Sequence, residues 1–371
     1  MNTTILVDGN WLMMSRLFAV KDYFKIDNDD EEKETGTKEL ENLMSKSINL
    51  IINKLEGIVD NVIIVRDGGS WRKYITPPSF FEEEYKGNRV KSADLDWTYI
   101  YKSLDYLAEK ASEQNITVCK AKNTEGDDWI YHWTRKLNKM GINTIIWSSD
   151  CDLKQLVQVE NFSFTAWLNE SQKGGLPGLI LHKDLDNTQM DLVDIFMKPS
   201  NRNATLDDLC SRVKAVTYID PSDIVEEKII CGDKGDNIKS LIQKVKNGRI
   251  QKISKNDWLK TKNALGITSL EDFFNKKDAI VTELSSIGKF KADKLLNSSK
   301  ALEMFDFNKK LVWLNESVIP EKIRNGMNEV EYKKCDIDYI KRNYKTLNTQ
   351  QHGNTNIEDV FNGLNFEDSP F

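Results

Sequence analysis

Histidine and cysteine are scarce in this 371-residue chain, and their placement excludes more than their number does. The 3 histidines, His132, His182 and His352, stand far apart, which rules out histidine-rich zinc chemistry and metalloprotease motifs. The 5 cysteines, Cys119, Cys151, Cys210, Cys231 and Cys335, form no CxxC pair. Neither a disulfide framework nor a thiolate zinc site is therefore expected, and a reducing compartment is the natural reading. Uncharged runs all fall short of the roughly 20 residues that cross a bilayer. Asp8 interrupts the first apolar stretch, so neither a signal peptide nor a membrane helix is expected. No Gly-x-x-x-x-Gly-Lys-Ser/Thr segment occurs, so ATP-driven motor activity is not implied.

Charge is abundant and unevenly spread. The net charge of -6 argues, taken alone, against a partner bound through phosphates. Residues 22–41 carry nine acids against three lysines, a composition that predicts a solvated loop over part of the stretch. Residues 238–262 hold seven lysines and one arginine against the single acid Asp257, enough local charge to attract a phosphate backbone or to form a solvated face on two helices. The last twenty residues contain Glu358, Asp359, Glu367 and Asp368 with no lysine or arginine and read as a mobile tail. Phe366 and Phe371 in that tail are candidate anchors for a protein partner, with plain disorder as the other reading.

Short apolar runs alternate with amphipathic helical patterns. The runs are Thr4-Ile5-Leu6-Val7, Asn61-Val62-Ile63-Ile64-Val65, Ile116-Thr117-Val118-Cys119 and Thr144-Ile145-Ile146-Trp147, with helices predicted over 39–58, 92–113 and 125–140. This alternation predicts an α/β fold with a mainly parallel central sheet. Residues 162–182 read as a peripheral hairpin, and the chain beyond about 205 reads as mostly helical. Three predicted strands end in an acid, Asp8, Asp67 and Asp150, at the carboxyl ends where ligands of open α/β sheets bind.

The informative segments are Asp8-Gly9-Asn10, Asp67-Gly68, Glu125-Gly126-Asp127-Asp128, Asp150-Cys151-Asp152 and Gly232-Asp233-Lys234-Gly235-Asp236-Asn237. Crowded carboxylates raise one another's pKa unless something positive compensates. Without histidine or thiolate, a hard cation such as Mg²⁺ or Mn²⁺ is the fitting partner. Thr124 is placed to cap a helix starting near Glu125, with Glu125 and Asp128 on one face and Asp127 turned aside. If the stretch around Cys151 is extended, Asp150 and Asp152 share a side. So many carboxylates exceed the needs of one ion, and two ions about 4 Å apart would support in-line phosphodiester hydrolysis without a covalent intermediate.

With Tyr85-Lys86-Gly87-Asn88-Arg89, these segments occur in the order that resembles the flap endonuclease and 5′-to-3′ exonuclease family, nearest to the ribonuclease H type 5′ nucleases of T4-like bacteriophages. The resemblance spans residues 1–325 and implies a PIN-like nuclease domain over 1–230, with a helical arch or clamp around 72–112. A helical duplex-binding region over 231–330 and a C-terminal extension with acidic tail over 331–371 complete the expected organisation. The resemblance gives Asp8, Asp67, Glu125, Asp127, Asp128 and Asp150 to a first metal cluster, and Asp150, Asp152, Asp233 and Asp236 to a second. It places Lys86 and Arg89 against the substrate near the scissile phosphate. It implies two Mg²⁺ ions, replaceable by Mn²⁺, and removal of RNA primers and 5′ flaps during DNA replication. The implied partners are a flapped DNA duplex or RNA–DNA hybrid, with a sliding clamp and a single-stranded DNA-binding protein as further contacts. A monomer working in the cytoplasm, that of the bacterial host for a phage protein, completes the picture.

Two departures stand out. Cys151 occupies a position where the family often has glycine, and Gly-x-Gly is missing after Asn237, where many relatives have a glycine-rich helix-hairpin-helix. Duplex binding is therefore expected from the lysines between Lys239 and Lys262, while Ser286-Ile287-Gly288-Lys289 resembles a hairpin turn only faintly. The competing readings are a non-catalytic, structure-specific DNA-binding protein and a PIN-like endoribonuclease.

Overall fold

The computed structural model describes residues 2–160, 163–169, 178–185, 215–246, 249–288, 296 and 298–341. The acidic tail with Phe366 and Phe371 lies outside the described residues, as do Cys210 and His352. The chain forms two compact units. Of the described residues, those within 1–70, 91–220 and 320–341 form the first unit, and those within 71–90 and 221–319 the second.

The first unit is built on one sheet. Strands β1 (Thr3–Asp8), β2 (Asn61–Val65), β3 (Thr117–Cys119) and β4 (Asn143–Trp147) alternate with helices α1 (Gly9–Val20), α2 (Asp30–Lys54), α3 (Trp97–Glu113) and α4 (Gly126–Lys139). The strands β3, β2, β1 and β4 lie side by side in that order, all parallel. Their near-continuous Val, Ile and Leu content follows from burial on both faces, and Ile5, Leu6, Val7, Val62, Ile63, Ile145 and Ile146 have no exposed surface. Each such side chain contributes about 1.5–3 kcal/mol. The order reverses between β1 and β4, a switch point where a crevice opens beyond the strand ends.

Several sequence expectations change here. Of the acidic stretch, residues 26–28 form a turn as expected, but α2 begins at Asp30, well before the predicted 39, because Asp29 accepts a hydrogen bond from the Glu32 amide at 2.9 Å while the Glu32 carboxylate accepts from the Asp29 amide at 3.3 Å. Acids in a first helical turn also face the positive end of the helix dipole. The predicted peripheral hairpin is internal on one side: β6 (Ser163–Asn169) pairs in parallel with β4 and in antiparallel with β7 (Gly178–His182). The short β5 (Gln158–Glu160) also joins β6, and β8 (Ala215–Ile219) pairs in parallel with β7, so strand structure persists beyond residue 205.

A C-terminal strap crosses the amino ends of the strands, opposite the acids. Tyr332 Oη shares a hydrogen bond with Thr4 Oγ1 at 3.2 Å. The Lys333 carbonyl accepts from Asn61 Nδ2 at 3.0 Å, and the Cys335 amide donates to Asn61 Oδ1 at 2.9 Å.

The second unit packs helices α5 (Pro221–Cys231), α6 (Lys255–Ala264), α7 (Leu270–Asn275), α8 (Lys277–Gly288) and α9 (Lys300–Val312) around Ile229, Trp258, Phe273 and Met304. Phe81 and Tyr85 belong to this core, which is why residues 71–90 group with it. Between residues 75 and 96 the backbone forms turns and no helix. An antiparallel pair, β9 (Gln243–Lys246) and β10 (Arg249–Lys252), occupies the middle of the basic stretch, where two helices were one reading. Helix α10 (Glu321–Asn328) returns to the first unit.

Candidate metal and phosphodiester site

Asp8 is the last residue of β1 and the N-cap of α1, so strand direction and cap chemistry both fix its side chain. Its Oδ1 accepts from the Trp11 amide at 3.0 Å and its Oδ2 from Ser148 Oγ at 2.9 Å. Gly9 permits the close approach of β2, since a Cβ there would lie 2.7 Å from the Val65 carbonyl oxygen.

Asp67 follows β2 and is held by two elements. Asn10 Nδ2 donates to its Oδ2 at 2.9 Å, Asn10 Oδ1 accepts from the Asp67 amide at 3.2 Å, and the Gly126 amide donates to Oδ1 at 2.6 Å. The last bond aims the N-terminus of α4 at a carboxylate, the favourable sense for the helix dipole. Gly68 lies so close to Ala121 that a Cβ would meet its carbonyl oxygen at 1.8 Å. Gly9 and Gly68 thus each make room for a neighbouring segment.

Asp150 lies beyond β4. Its amide donates to Ser148 Oγ at 3.0 Å, and its Oδ1 accepts from the Asp152 amide at 2.8 Å. The stretch from Cys151 to Leu156 is a 3₁₀ helix capped by Asp150, not the extended segment allowed for from sequence. Buried Ser148 therefore links Asp8 to Asp150.

Electrostatics tie three strand-end acids together. Burial pushes the Asp8 carboxyl up to about 7; the Trp11 amide and Ser148 hydroxyl oppose the shift, and the Asp67 and Asp150 charges add to it. The crevice is an all-oxygen donor set whose central acid lacks the compensation it needs to ionise fully, which fits a hard divalent cation.

Glu125, Asp127 and Asp128 occupy the first turn of α4. The cap is Glu125 and not Thr124: Asp128 Oδ2 accepts from the Glu125 amide at 3.1 Å, and Asp128 has no exposed surface. Asp127 is partly exposed. His132 on the same helix stands edge-on to the rings of Trp129 and Trp133, and burial pushes its pKa down to about 4, so it is a neutral, half-buried residue packed on the tryptophans.

Asp233, Asp236, Lys86 and Arg89 belong to the second unit. Gly232 ends α5 in the left-handed region at φ 70°, and a Cβ there would lie 2.5 Å from the Ile238 carbonyl oxygen. Asp233 and Ile238 exchange two backbone hydrogen bonds at 2.9 and 2.7 Å, and Asp233 Oδ1 accepts from the Gly235 amide at 2.8 Å. Asp233 Oδ2 pairs with Lys228 at 2.6 Å, while Asp236 pairs with Arg89. Lys86 is left-handed, at φ 56°, with its ammonium 4.9 Å from the centre of the Tyr85 ring.

The basic stretch is partly neutralised within its own unit. Lys255 pairs with Glu227, and Lys262 with Asp223 and Glu226 at 2.6 Å each. Burial lowers the Lys262 pKa, but those two carboxylates outweigh it and the net shift is upward. Lys239 lies 5.5 Å from the centre of the Phe81 ring. The segment Ser286-Ile287-Gly288 ends α8, and Lys289 lies outside the described residues.

Asn10, Ser148, Asn88 and Asn237 are the polar residues whose contacts sequence reasoning left unassigned. Asn10 and Asn237 had a signal, since each directly follows a motif acid or its glycine; Ser148 had only its place before Asp150.

Residues 3–177 match the 5′-3′ exonuclease, N-terminal resolvase-like domain family. Among solved structures, the bacteriophage T5 D15 protein co-crystallised with metal ions is similar at 16% identity and a TM-score of 0.51, covering 93% of this chain and 99% of that one. The bacteriophage T5 D15 flap endonuclease in a pseudo-enzyme–product complex with DNA and metal ions has 16% identity and a TM-score of 0.49, with coverage of 92% and 99%. No curated protein matches the sequence. Among the described residues, no helix is long and apolar enough to cross a membrane.

Proposed function

We propose, from the match of residues 3–177 to the 5′-3′ exonuclease N-terminal domain family, that this chain is a divalent-metal-dependent 5′ nuclease of the flap endonuclease and 5′-to-3′ exonuclease family, with ribonuclease H activity, removing RNA primers and 5′ flaps during DNA replication. The observation that carries the reading is the convergence of Asp8, Asp67 and Asp150 at the sheet's switch point, with Asp8 pushed up to about 7.

Mg²⁺ is the assigned cation, with Mn²⁺ as a substitute, since both prefer oxygen ligands. The first ion is assigned to Asp8, Asp67, Glu125, Asp127, Asp128 and Asp150. The second is assigned to Asp150, Asp152, Asp233 and Asp236 on the order of the motifs. Bound there, the ions supply an activated water and charge neutralisation on the scissile phosphate.

The chain's own residues do the rest. Asn10, Ser148 and the amides of Trp11 and Gly126 fix the carboxylates in one rotamer set, so little reorganisation accompanies reaction. Lys86 stabilises negative charge developing on phosphate oxygens, and Arg89 contacts the same strand near the cut. No side-chain nucleophile is needed, and exposed Cys151 has no part in bond cleavage. The substrate is a duplex with a free or displaced 5′ end, or an RNA–DNA hybrid. Contacts with a sliding clamp and a single-stranded DNA-binding protein, and work as a monomer in the cytoplasm, extend the same reading on family likeness alone.

The test uses a duplex bearing a short 5′ flap, labelled in separate preparations at its 5′ and 3′ ends, incubated with Mg²⁺, with Ca²⁺ or with chelator. Magnesium-dependent cleavage is expected, and Asp150→Asn should abolish it while sparing DNA binding. The two labels separate stepwise trimming from one cut at the junction. Tight, flap-specific binding with no cleavage in Mg²⁺ or Mn²⁺ would overturn the nuclease reading in favour of a non-catalytic binding protein.

A further inference from the structure

Within the second unit, residues 84–89 are fastened to the Gly232–Ile238 loop by a set of bonds that no carboxylate or lysine role requires. The Lys86 amide donates to the Asp236 carbonyl at 3.1 Å. Asn88 Nδ2 donates to the Lys234 carbonyl at 2.6 Å, and Asn237 Nδ2 donates to the Glu84 carbonyl at 3.0 Å. Arg89 adds a bond to the Gly235 carbonyl at 3.4 Å and its ion pair with Asp236. The contact is reciprocal: each segment contributes an asparagine that reaches a backbone carbonyl of the other.

The receiving loop is braced by bonds of its own. The Asp233–Ile238 bridge closes it, and Asp233 Oδ1 holds the Gly235 amide. Buried Asn308 ties the carbonyls of Ile229 and Lys239, on either side of the loop, at 2.9 and 2.8 Å. The docked segment has no helix of its own. Lys86 is nevertheless held at φ 56°, a left-handed conformation that a lysine adopts only when its surroundings impose it. Asn237 faces it at φ 61°, which asparagine tolerates better than other residues with a Cβ.

We infer that Asn88 and Asn237 are positioning residues that clamp Lys86 into its left-handed conformation and so set where its ammonium meets the substrate phosphate. This inference rests on the nuclease reading and on the role given to Lys86. Asn237→Gly is the decisive substitution, because glycine keeps the left-handed backbone accessible and removes only the amide. Exposed Asn88→Ala is its independent partner, since it perturbs no packed core.

Single-turnover cleavage of the flapped duplex in Mg²⁺ is measured for wild type, the two asparagine variants, Lys86→Ala, and each double variant. A small misplacement of a reacting group costs up to about 100-fold in rate. Each asparagine variant should lose about 10- to 100-fold in rate while equilibrium binding in Ca²⁺ stays within about 3-fold. In the Lys86→Ala background the same substitutions should cost nothing more, because there is no ammonium left to place. Trypsin cleavage after Lys86 and Arg89, followed by mass spectrometry without substrate, should accelerate in Asn237→Gly.

Cleavage by both asparagine variants at the wild-type rate, losses that multiply with that of Lys86→Ala, or unchanged tryptic cleavage would overturn the inference. Wild-type activity in Lys86→Ala would remove the role of Lys86, and this inference with it. An inactive wild-type protein would instead defeat the nuclease reading itself.

Discussion

The two groups of acids are held in opposite ways. In the first unit, Asp8, Asp67 and Asp150 are fixed by neutral donors: the amides of Trp11, Gly126 and Asp152, the Asn10 side chain and the Ser148 hydroxyl. In the second unit, Asp233 and Asp236 face cations, Lys228 and Arg89. Neutral donors orient a carboxylate without cancelling its charge, and the cost shows at Asp8, pushed up to about 7. A cation partner cancels the charge and competes with any incoming ion. On the proposed reading, the first group would take a metal more tightly than the second, where Lys228 and Arg89 compete for the carboxylates.

The sharpest way to break this contrast is to remove charge from the first group. Asp8→Asn should reduce Mg²⁺-dependent cleavage by about 10³-fold or more, since the central ligand loses its anionic oxygen. The same substitution should raise the stability of the metal-free protein at neutral pH. A carboxyl whose folded pKa lies near 7 and whose unfolded pKa is 3.8 destabilises the fold fully above pH 7. The penalty fades as pH falls through 7 and is gone below 3.8. Asparagine can keep the cap acceptor without the charge, so the gain should approach about 2–4 kcal/mol at pH 8 and vanish near pH 4. Urea titrations across that range check it, and a gain independent of pH would refute the electrostatic account. Saturating Mg²⁺ should narrow the difference by stabilising only the wild type.

Removing a competing cation from the second group sharpens the contrast from the other side. If Asp233 ligates the second ion, Lys228→Ala should tighten the weaker class of sites for Mn²⁺ about 3- to 10-fold, a change of about 1 kcal/mol, while leaving the tighter class unchanged. Calorimetric titration separates the two classes. Equal tightening of both, or neither, would mean that Lys228 does not guard a metal position.

Much of this arrangement was legible in the sequence, for definable reasons. Parallel strands buried on both faces leave continuous apolar runs, so β1, β2 and β4 and the acids at their carboxyl ends could be read directly. The start of α2 could not, because acids at a helix N-terminus and acids in a solvated loop look alike in composition; only the reciprocal Asp29–Glu32 bonds distinguish them. The geometry at Asp150 was missed because a 3₁₀ helix of 6 residues leaves no readable periodicity. The pairing of Lys262 with Asp223 and Glu226 joins residues almost forty positions apart, so a stretch that reads as a free basic surface is partly neutralised. Asn88 and Asn237 carried no signal of their partners, because both reach backbone carbonyls and a carbonyl is present at every position.

Ser148 gives the finest probe of how neutral donors act. Its hydroxyl donates to Asp8 Oδ2 and accepts from the Asp150 amide, so a single oxygen sets the spacing of two carboxylates. Ser148→Ala leaves a buried carboxylate oxygen and an amide short of a partner, which costs about 1–3 kcal/mol in a metal-free protein. A metal drawn between the carboxylates replaces part of that constraint. The variant should therefore lose stability in chelator, regain most of it in saturating Mg²⁺, and cleave only about 10-fold more slowly at saturating metal. A loss of rate as large as that of Asp8→Asn would make Ser148 part of the reacting set instead of its frame. No loss in either condition would show that the backbone at the ends of β1 and β4 already fixes the two acids without it.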